Sequence, residues 1–180
     1  DEARINYMAQ HDALTGLPNR VRFLEQLGQD LALGGAREEP VAIIAIDLDG
    51  FKEINDRHGH ATGDAVLRVL GARLKALAVG HERVARVGGD EFVAAKRFND
   101  ERDLTSFLDR LTVALNEPMT IDDFEVRPGA SLGVALFPRD GDSRDVLLSN
   151  ADLAMYSAKG SSLDKICYYE SSMDDAARDR

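Results

Sequence analysis

Six apolar residues in a row, Val41-Ala42-Ile43-Ile44-Ala45-Ile46, run straight into Asp47-Leu48-Asp49-Gly50. No other feature constrains the chain as much. A strand that is apolar on both faces cannot lie in a half-solvated sheet, so it needs packing layers above and below. Its far end is equally restrictive. The apolar run stops at carboxylates and a glycine, which belong at the solvated mouth of a rigid strand.

Apolar spacing of three and four marks the helices. Leu24, Leu27 and Leu31 follow Asn19, a natural helix cap. Val66, Leu70, Leu74 and Leu77 form a second stripe, on a helix beginning near Ala61. Leu104, Leu108, Leu111 and Leu115 form a third, and Leu147, Ala151, Ala154 and Ala158 a fourth, capped at Asp142-Ser143. Residues 84–87 and 92–95 flank Gly88-Gly89-Asp90 and predict a hairpin. Residues 130–137 predict another strand, irregular at its start because of Pro128, and residues 166–169 a short edge strand.

The middle of the chain therefore alternates strand, helix, strand, strand, helix, strand. That is the α+β, ferredoxin-like split βαβ pattern, with an extra C-terminal helix and edge strand. It pairs the first strand with the third, antiparallel, and brings Asp47 to the hairpin turn at Asp90, 43 positions away. The helix near Ala61 starts at that end, and the last helix climbs back to deliver Lys159 there.

Composition removes several functional classes. The 180 residues suit one domain, and 22 Lys plus Arg against 32 Asp plus Glu give a formal net charge of −10. Such a chain is repelled by phosphate backbones and anionic lipid, so neither nucleic acid nor a membrane surface is an expected partner. Phosphate chemistry remains open where a divalent metal carries the anion. Cys167 is the only cysteine, which excludes an intrachain disulfide and a cysteine metal cluster. No apolar run approaches the roughly 18 residues of a membrane span, and Asp1-Glu2-Ala3-Arg4 is no signal peptide. A cytoplasmic domain is the expectation.

Three constellations gather at the acidic end. Asp47-Leu48-Asp49-Gly50 begins like an EF-hand loop but places Phe51 and Lys52 where a ligand and a glycine are required. What remains is either a solvated turn or a carboxylate set suited to Mg²⁺ bridging to a nucleotide phosphate. Gly88-Gly89-Asp90-Glu91-Phe92 puts two acids directly after a tight turn. It is either an ordinary solvated hairpin or the second half of a carboxylate pair. Between Asn55 and Asp64 lie amide and carboxylate groups of the kind a purine edge pairs with, guanine in particular. His58 and His60 are weak metal candidates without a third His or Cys. One of them is expected to pack or hydrogen-bond where the helix begins.

Taken together, these segments resemble the GGDEF domain of diguanylate cyclases. The resemblance rests on His11-Asp12-Ala13-Leu14-Thr15-Gly16-Leu17-Pro18-Asn19-Arg20, on Phe51-Lys52-x-x-Asn55-Asp56 after Asp47-Leu48-Asp49, and on Gly59-His60-x-x-Gly63-Asp64. It continues through Arg86-x-Gly88-Gly89-Asp90-Glu91-Phe92, Ser131-Leu132-Gly133-Val134-Ala135 and Ala151-Asp152-Leu153-Ala154-Met155-Tyr156-x-Ala158-Lys159. It implies a palm fold related to nucleotide cyclases and polymerases. The implied reaction condenses two GTP, one on each of two facing domains, to cyclic di-GMP and two pyrophosphates.

By the same resemblance Asp47, the Leu48 carbonyl and Asp90 hold Mg²⁺ or Mn²⁺, and Asp90 assists deprotonation of the 3′-hydroxyl. Asn55 and Asp64 read guanine, with His60, Gly88 and Gly89 also on the substrate. Gly50, Phe51 and Lys52 cradle the terminal phosphates, joined by Lys159. The implied partner is a second GGDEF domain in a transient homodimer.

Two departures stand out. Val79-Gly80-His81-Glu82 occupies the place of the family's Arg-x-x-Asp product-inhibition motif, without the arginine. Leu163 stands where a second phosphate-binding cation is often found, and one lost charge-assisted contact weakens binding by about 1.5–3 kcal/mol. Tyr168-Tyr169-Glu170-x-x-Met173-Asp174 resembles the connector to a following EAL phosphodiesterase domain. The expected division is a helical lead-in over 1–10, the GGDEF domain over 11–169 and the start of that connector over 170–180. The alternative expectation is a GTP-binding regulatory module of a cyclic di-GMP phosphodiesterase, weak or inactive as a catalyst.

Overall fold

A computed structural model describes residues 1–174. In chain order the elements are α1 (Glu2–Gln10), α2 (Arg20–Arg37), β1 (Val41–Leu48), α3 (Phe51–His58), α4 (His60–Leu77), β2 (Arg83–Gly88) and β3 (Glu91–Arg97). They continue with α5 (Glu101–Asn116), β4 (Met119–Ile121), β5 (Phe124–Val126), β6 (Ala130–Phe137), α6 (Arg144–Lys159) and β7 (Ile166–Tyr168). The main sheet runs β2-β3-β1-β6-β7, and β4 with β5 forms a separate two-stranded ribbon.

The apolar run is the central strand. β1 pairs antiparallel with β3 on one side and with β6 on the other, from Val41 to its acidic end. Its even-numbered residues Ala42, Ile44, Ile46 and Leu48 pack with Val66, Leu70 and Leu74 of α4 and with Phe107, Leu111 and Leu115 of α5. Val41 and Ile43 point the other way, onto Phe23 and Leu27 of α2 and Leu147, Ala151 and Ala154 of α6. Two helical layers are thus the reason no position of the strand from Val41 to Ile46 alternates to polar. Asn19 caps α2 by accepting from Arg22 N at 3.1 Å, and Ser143 caps α6 by accepting from Val146 N at 3.3 Å. β7 lies at the sheet edge, parallel to β6.

Three elements, α3 and the two strands of the β4–β5 ribbon, carry no pattern that announces them in the sequence. α3 follows β1 directly, and α4 begins at His60 after Gly59, which turns the chain at φ 90°. α3 has only Phe51 and Ile54 to show the core, too little periodicity for eight residues to announce a helix. The β4–β5 ribbon turns through Asp122 and Asp123, both at positive φ (46° and 71°). Asp tolerates that conformation less commonly than the Asn-Gly or Gly-Gly pairs that signal such turns. Phe124 of this ribbon stacks on His58 with ring centroids 4.3 Å apart, so His58 is the histidine that packs against a neighbour, although both His58 and His60 are exposed.

Close approach of α6 to the sheet depends on Gly133. A Cβ there would lie 2.0 Å from the Met155 amide nitrogen and 2.1 Å from the Ala151 carbonyl oxygen. The helix backbone rests on the strand, which sets the level at which Lys159 emerges.

Behind the sheet, Glu82 accepts from Lys96 Nζ at 2.7 Å, from both terminal nitrogens of Arg110 at 2.7 and 2.5 Å, and from the Val79 amide at 3.1 Å. Burial by itself would raise this carboxyl. The guanidinium, ammonium and amide donors outweigh it and hold the group at about 2, below the ordinary 4.5. Ionised Glu82 therefore contributes stability above pH 4.5, and the contribution fades as pH falls toward 2. Glu82→Gln should lower the unfolding free energy at pH 7 by about 2–3 kcal/mol, since two cations lose their partner. Urea titrations should show the gap to wild type closing below about pH 4.

Candidate functional site

The end of β1 meets the β2–β3 hairpin. Asp47 is the register partner of Glu91 on β3 and of Ser131 on β6, and the Leu48 amide donates to the Asp90 carbonyl at 3.1 Å. Asp90 thus sits beside Asp47. Lys159 arrives from the end of α6. Its Nζ lies 3.0 Å from Asp47 Oδ2, 3.5 Å from the Leu48 carbonyl and 3.6 Å from Asp49 Oδ1. The other Asp47 oxygen, Oδ1, is buried and has no hydrogen-bond partner among the described residues.

Crowding of acids shapes their ionisation. Burial pushes the Asp90 carboxyl up, and the Asp47 charge pushes it further, against the pull of Lys159. Glu91 is raised by burial and by Asp47, Asp152 and Asp90, with Arg20 opposing. Burial alone would lower Lys159, but its contacts with Asp47 and the charges of Asp49 and Asp90 hold it above its ordinary value. The ammonium is firmly charged, whereas Asp90 loses its proton less readily than a free carboxyl.

The hairpin is braced from the N-terminal segment. Arg86 donates to the Gly89 carbonyl from Nε (3.2 Å) and Nη2 (2.8 Å), and from Nη1 to Asp12 Oδ1 at 2.9 Å. Asp12 Oδ2 in turn accepts from the Thr15 amide and hydroxyl at 2.9 and 2.7 Å. Thr15 is wedged against α4, where a Cβ on Gly71 would come within 2.7 Å of it. Gly89 adopts φ 52°, which a side chain would strain. The segment around Asp12 and Thr15 is therefore a strut for the turn that carries Asp90.

On the other side of the mouth, Gly50 caps α3 in the left-handed region (φ 69°) and, as a glycine, makes no side-chain cap bond to the first amides of the helix. Phe51 is half-buried against the core and Lys52 is exposed. Asn55 lies against α4. Its Oδ1 is buried without a hydrogen-bond partner among the described residues, and a Cβ on Gly63 would sit 1.9 Å from that oxygen. Asp64, the next residue on α4, is exposed, as is His60.

The structure so brings Asp47, the Leu48 carbonyl, Asp90 and Lys159 into one cluster, with Gly88 and Gly89 in the adjoining turn. Asn55 and Asp64 form a separate pair of polar groups on α3 and α4. Asp49 accepts from Ser131 Oγ at 2.8 Å, donates its amide to the Gly129 carbonyl at 2.8 Å and faces Lys165 at 3.5 Å. The Asp-x-Asp spacing flagged Asp49, but no local pattern announced its partners. In the stretch Val79-Gly80-His81-Glu82, Glu82 anchors the buried ion cluster described above with the Val79 amide as one of its donors, and His81 Nδ1 lies 2.8 Å from Arg97 Nη2.

Among the described residues no group of three or more His, Cys, Asp or Glu is arranged to hold a metal. The donors at the mouth are two carboxylates and a strand-end carbonyl, all hard oxygens suited to Mg²⁺, which takes its remaining ligands from water and phosphate. The partnerless Asp47 Oδ1 is the observation that fits such an ion.

A sandwiched sheet of this topology, with paired carboxylates where its central strand meets a glycine hairpin, defines a palm-like domain with an acidic mouth. Residues 9–164 match the family described as diguanylate cyclase, GGDEF domain, and the chain belongs to that family. It is 38% identical over 173 residues to the bifunctional diguanylate cyclase/cyclic di-GMP phosphodiesterase MucR of Pseudomonas aeruginosa, covering 96% of this chain and 25% of MucR. It is also 38% identical over 161 residues to the diguanylate cyclase DgcP of Escherichia coli, covering 88% of this chain and 47% of DgcP. The chain thus spans half or less of the length of these relatives. Among solved structures it resembles the isolated GGDEF domain of TpbB from Pseudomonas aeruginosa, with TM-score 0.87 and 35% identity over 93% of this chain and 99% of that one.

The raised Asp90 sets up a measurable trade-off. With no divalent ion present, ionised Asp90 opposes folding at neutral pH, so Asp90→Asn should raise Tm in EDTA by a few degrees. The sign follows from linkage, since a carboxyl raised in the folded state costs stability above its folded value and nothing below its unfolded one. The Tm gain should disappear at pH 3, as scanning calorimetry at both pH values would record.

Proposed function

We propose that this domain is a diguanylate cyclase module that condenses two GTP molecules into cyclic di-GMP and releases two pyrophosphates. The observation that carries the reading is the acidic cluster at the end of β1, with its buried, partnerless Asp47 Oδ1 beside the raised Asp90. Asp47, Asp90 and the Leu48 carbonyl are the residues that would hold Mg²⁺ or Mn²⁺. When bound, that ion supplies Lewis-acid polarisation of the α-phosphate and charge neutralisation of the leaving pyrophosphate.

The chain's own groups do the rest. Asn55 and Asp64 hold the guanine edge, with His60 and the bare Gly88-Gly89 turn flanking the nucleotide. The uncapped amides of α3 at Gly50, Phe51 and Lys52 receive the terminal phosphates, since a helix N-terminus favours anions. Lys159 exchanges Asp47 for phosphate oxygen. Asp90 takes the proton of the incoming 3′-hydroxyl, whose oxygen attacks the α-phosphorus of the second GTP while the bond to pyrophosphate breaks. Each domain holds one GTP, so ring closure requires two domains face to face, and the gain comes mostly from positioning two anions head to tail.

The same reading takes residues 11–169 as the cyclase unit, preceded by a helical lead-in over 1–10 and working where cytoplasmic GTP is available. No helix among the described residues is long and apolar enough to cross a membrane. Residues 170–180 begin a connector toward an EAL domain. The reading rests on the likeness of the Tyr168-to-Asp174 sequence to such a connector; within it Tyr169 Oη donates to Asp174 Oδ2 at 2.6 Å. Residues 175–180 of that expected connector lie outside the described residues.

Fusing the domain to a parallel coiled coil supplies the second copy. With Mg²⁺ or Mn²⁺ the fusion should convert GTP to cyclic di-GMP and leave ATP untouched, and Asp90→Ala should abolish product. GTP bound but never turned over in the forced dimer would reject the cyclase and leave a regulatory module. In calorimetry, Gly63→Ala should weaken GTP at least about tenfold, because the added methyl displaces Asn55, whose lost base contact is worth roughly 1–3 kcal/mol.

A further inference from the structure

Two lysines, not one, converge on the acidic mouth. Lys159 is engaged by Asp47, Asp49 and the Leu48 carbonyl. Lys165 sits across the same Asp49 carboxylate, with Nζ 3.5 Å from Oδ2. Asp49 is itself fixed by Ser131 Oγ and by its amide bond to Gly129, and it precedes Gly50, the uncapped start of α3.

The way Lys165 is mounted separates a rigid base from a loose head. Its carbonyl accepts from the Leu132 amide at 2.8 Å, and the following strand β7 runs in register along β6. Its side chain is 43% exposed, and Asp49 is its one ion-pair partner among the described residues. A long, half-exposed ion pair of this kind adds little to fold stability. The ammonium can therefore leave Asp49 for a stronger anion at small cost. Leu163, two residues earlier, is 90% exposed and brings no charge.

We propose that Lys165 is a second phosphate-binding cation of this site, held ready by Asp49 and engaging the β- and γ-phosphates of the bound nucleoside triphosphate together with Lys159. Asp49 acts as a positioning residue, shared by both ammonium groups. The proposal rests on the GTP reading above and adds a residue to it.

Calorimetry with GTP and Mg²⁺, and competition with GMP, on wild type, Lys165→Ala and Lys165→Arg tests it. Lys165→Ala should weaken GTP by roughly three- to thirtyfold, the range of one partly exposed charge-assisted contact. GMP, which has no β- or γ-phosphate, should change less than about twofold, and Lys165→Arg should retain most of the GTP affinity. Equal GTP affinity in wild type and Lys165→Ala would overturn this assignment alone. A parallel loss of GTP and GMP would also overturn it, since that is the mark of a merely structural lysine. Failure of the wild type to bind GTP would reject the underlying reading and this assignment with it.

Discussion

The acidic end depends on β1 being hydrogen-bonded along both edges. A carboxylate at the tip of a strand held by β3 and β6 has almost no freedom to swing away from its neighbours. Asp47 is thereby committed to face Asp90, Glu91 and Asp49, whatever the electrostatic penalty. Packing on two faces meets that penalty, since two helical layers bury the strand from Val41 to Leu48 and secure it against local repulsion.

Cations then tune what packing enforces. Lys159 reaches Asp47 because α6 rests on Gly133, and Arg86 locks the hairpin because Asp12 is pinned by Thr15. Both devices bring positive charge or donors to a place where acids would otherwise repel. Neither saturates it, because Asp47 Oδ1 stays without a hydrogen-bond partner among the described residues. A site left short of positive charge is prepared for more, which is how ligand-binding regions commonly trade stability for function.

Much of the fold was legible because several elements advertise themselves locally. The unbroken apolar strand, the capped Leu-rich helices and the glycine hairpin each carry a pattern with one physical solution, and their order implied the pairing of β1 with β3. α3 and the β4–β5 ribbon were not legible. The first shows the core only two apolar side chains, and the second turns at Asp122-Asp123, where positive φ is stabilised by context rather than by glycine. At the site, Asp47 and Asp90 stood out by their placement next to a strand end and a turn. Ser131 and Lys165 did not, because a serine inside a strand and a lysine at its start are ordinary residues until the partner they meet is known.

The sequence by itself determined which groups the mouth contains and at which ends of which elements they stand, because hydrophobic period and turn chemistry act over a few neighbouring residues. Tertiary structure alone decided their coupling. Asp49 became a hub between Ser131 and two lysines, Asn55 came to rest on Gly63, and Asp90 acquired a raised carboxyl. Each of these is a distance between residues far apart or on different elements. Charge interaction and burial depend on separation in space, which no local pattern encodes.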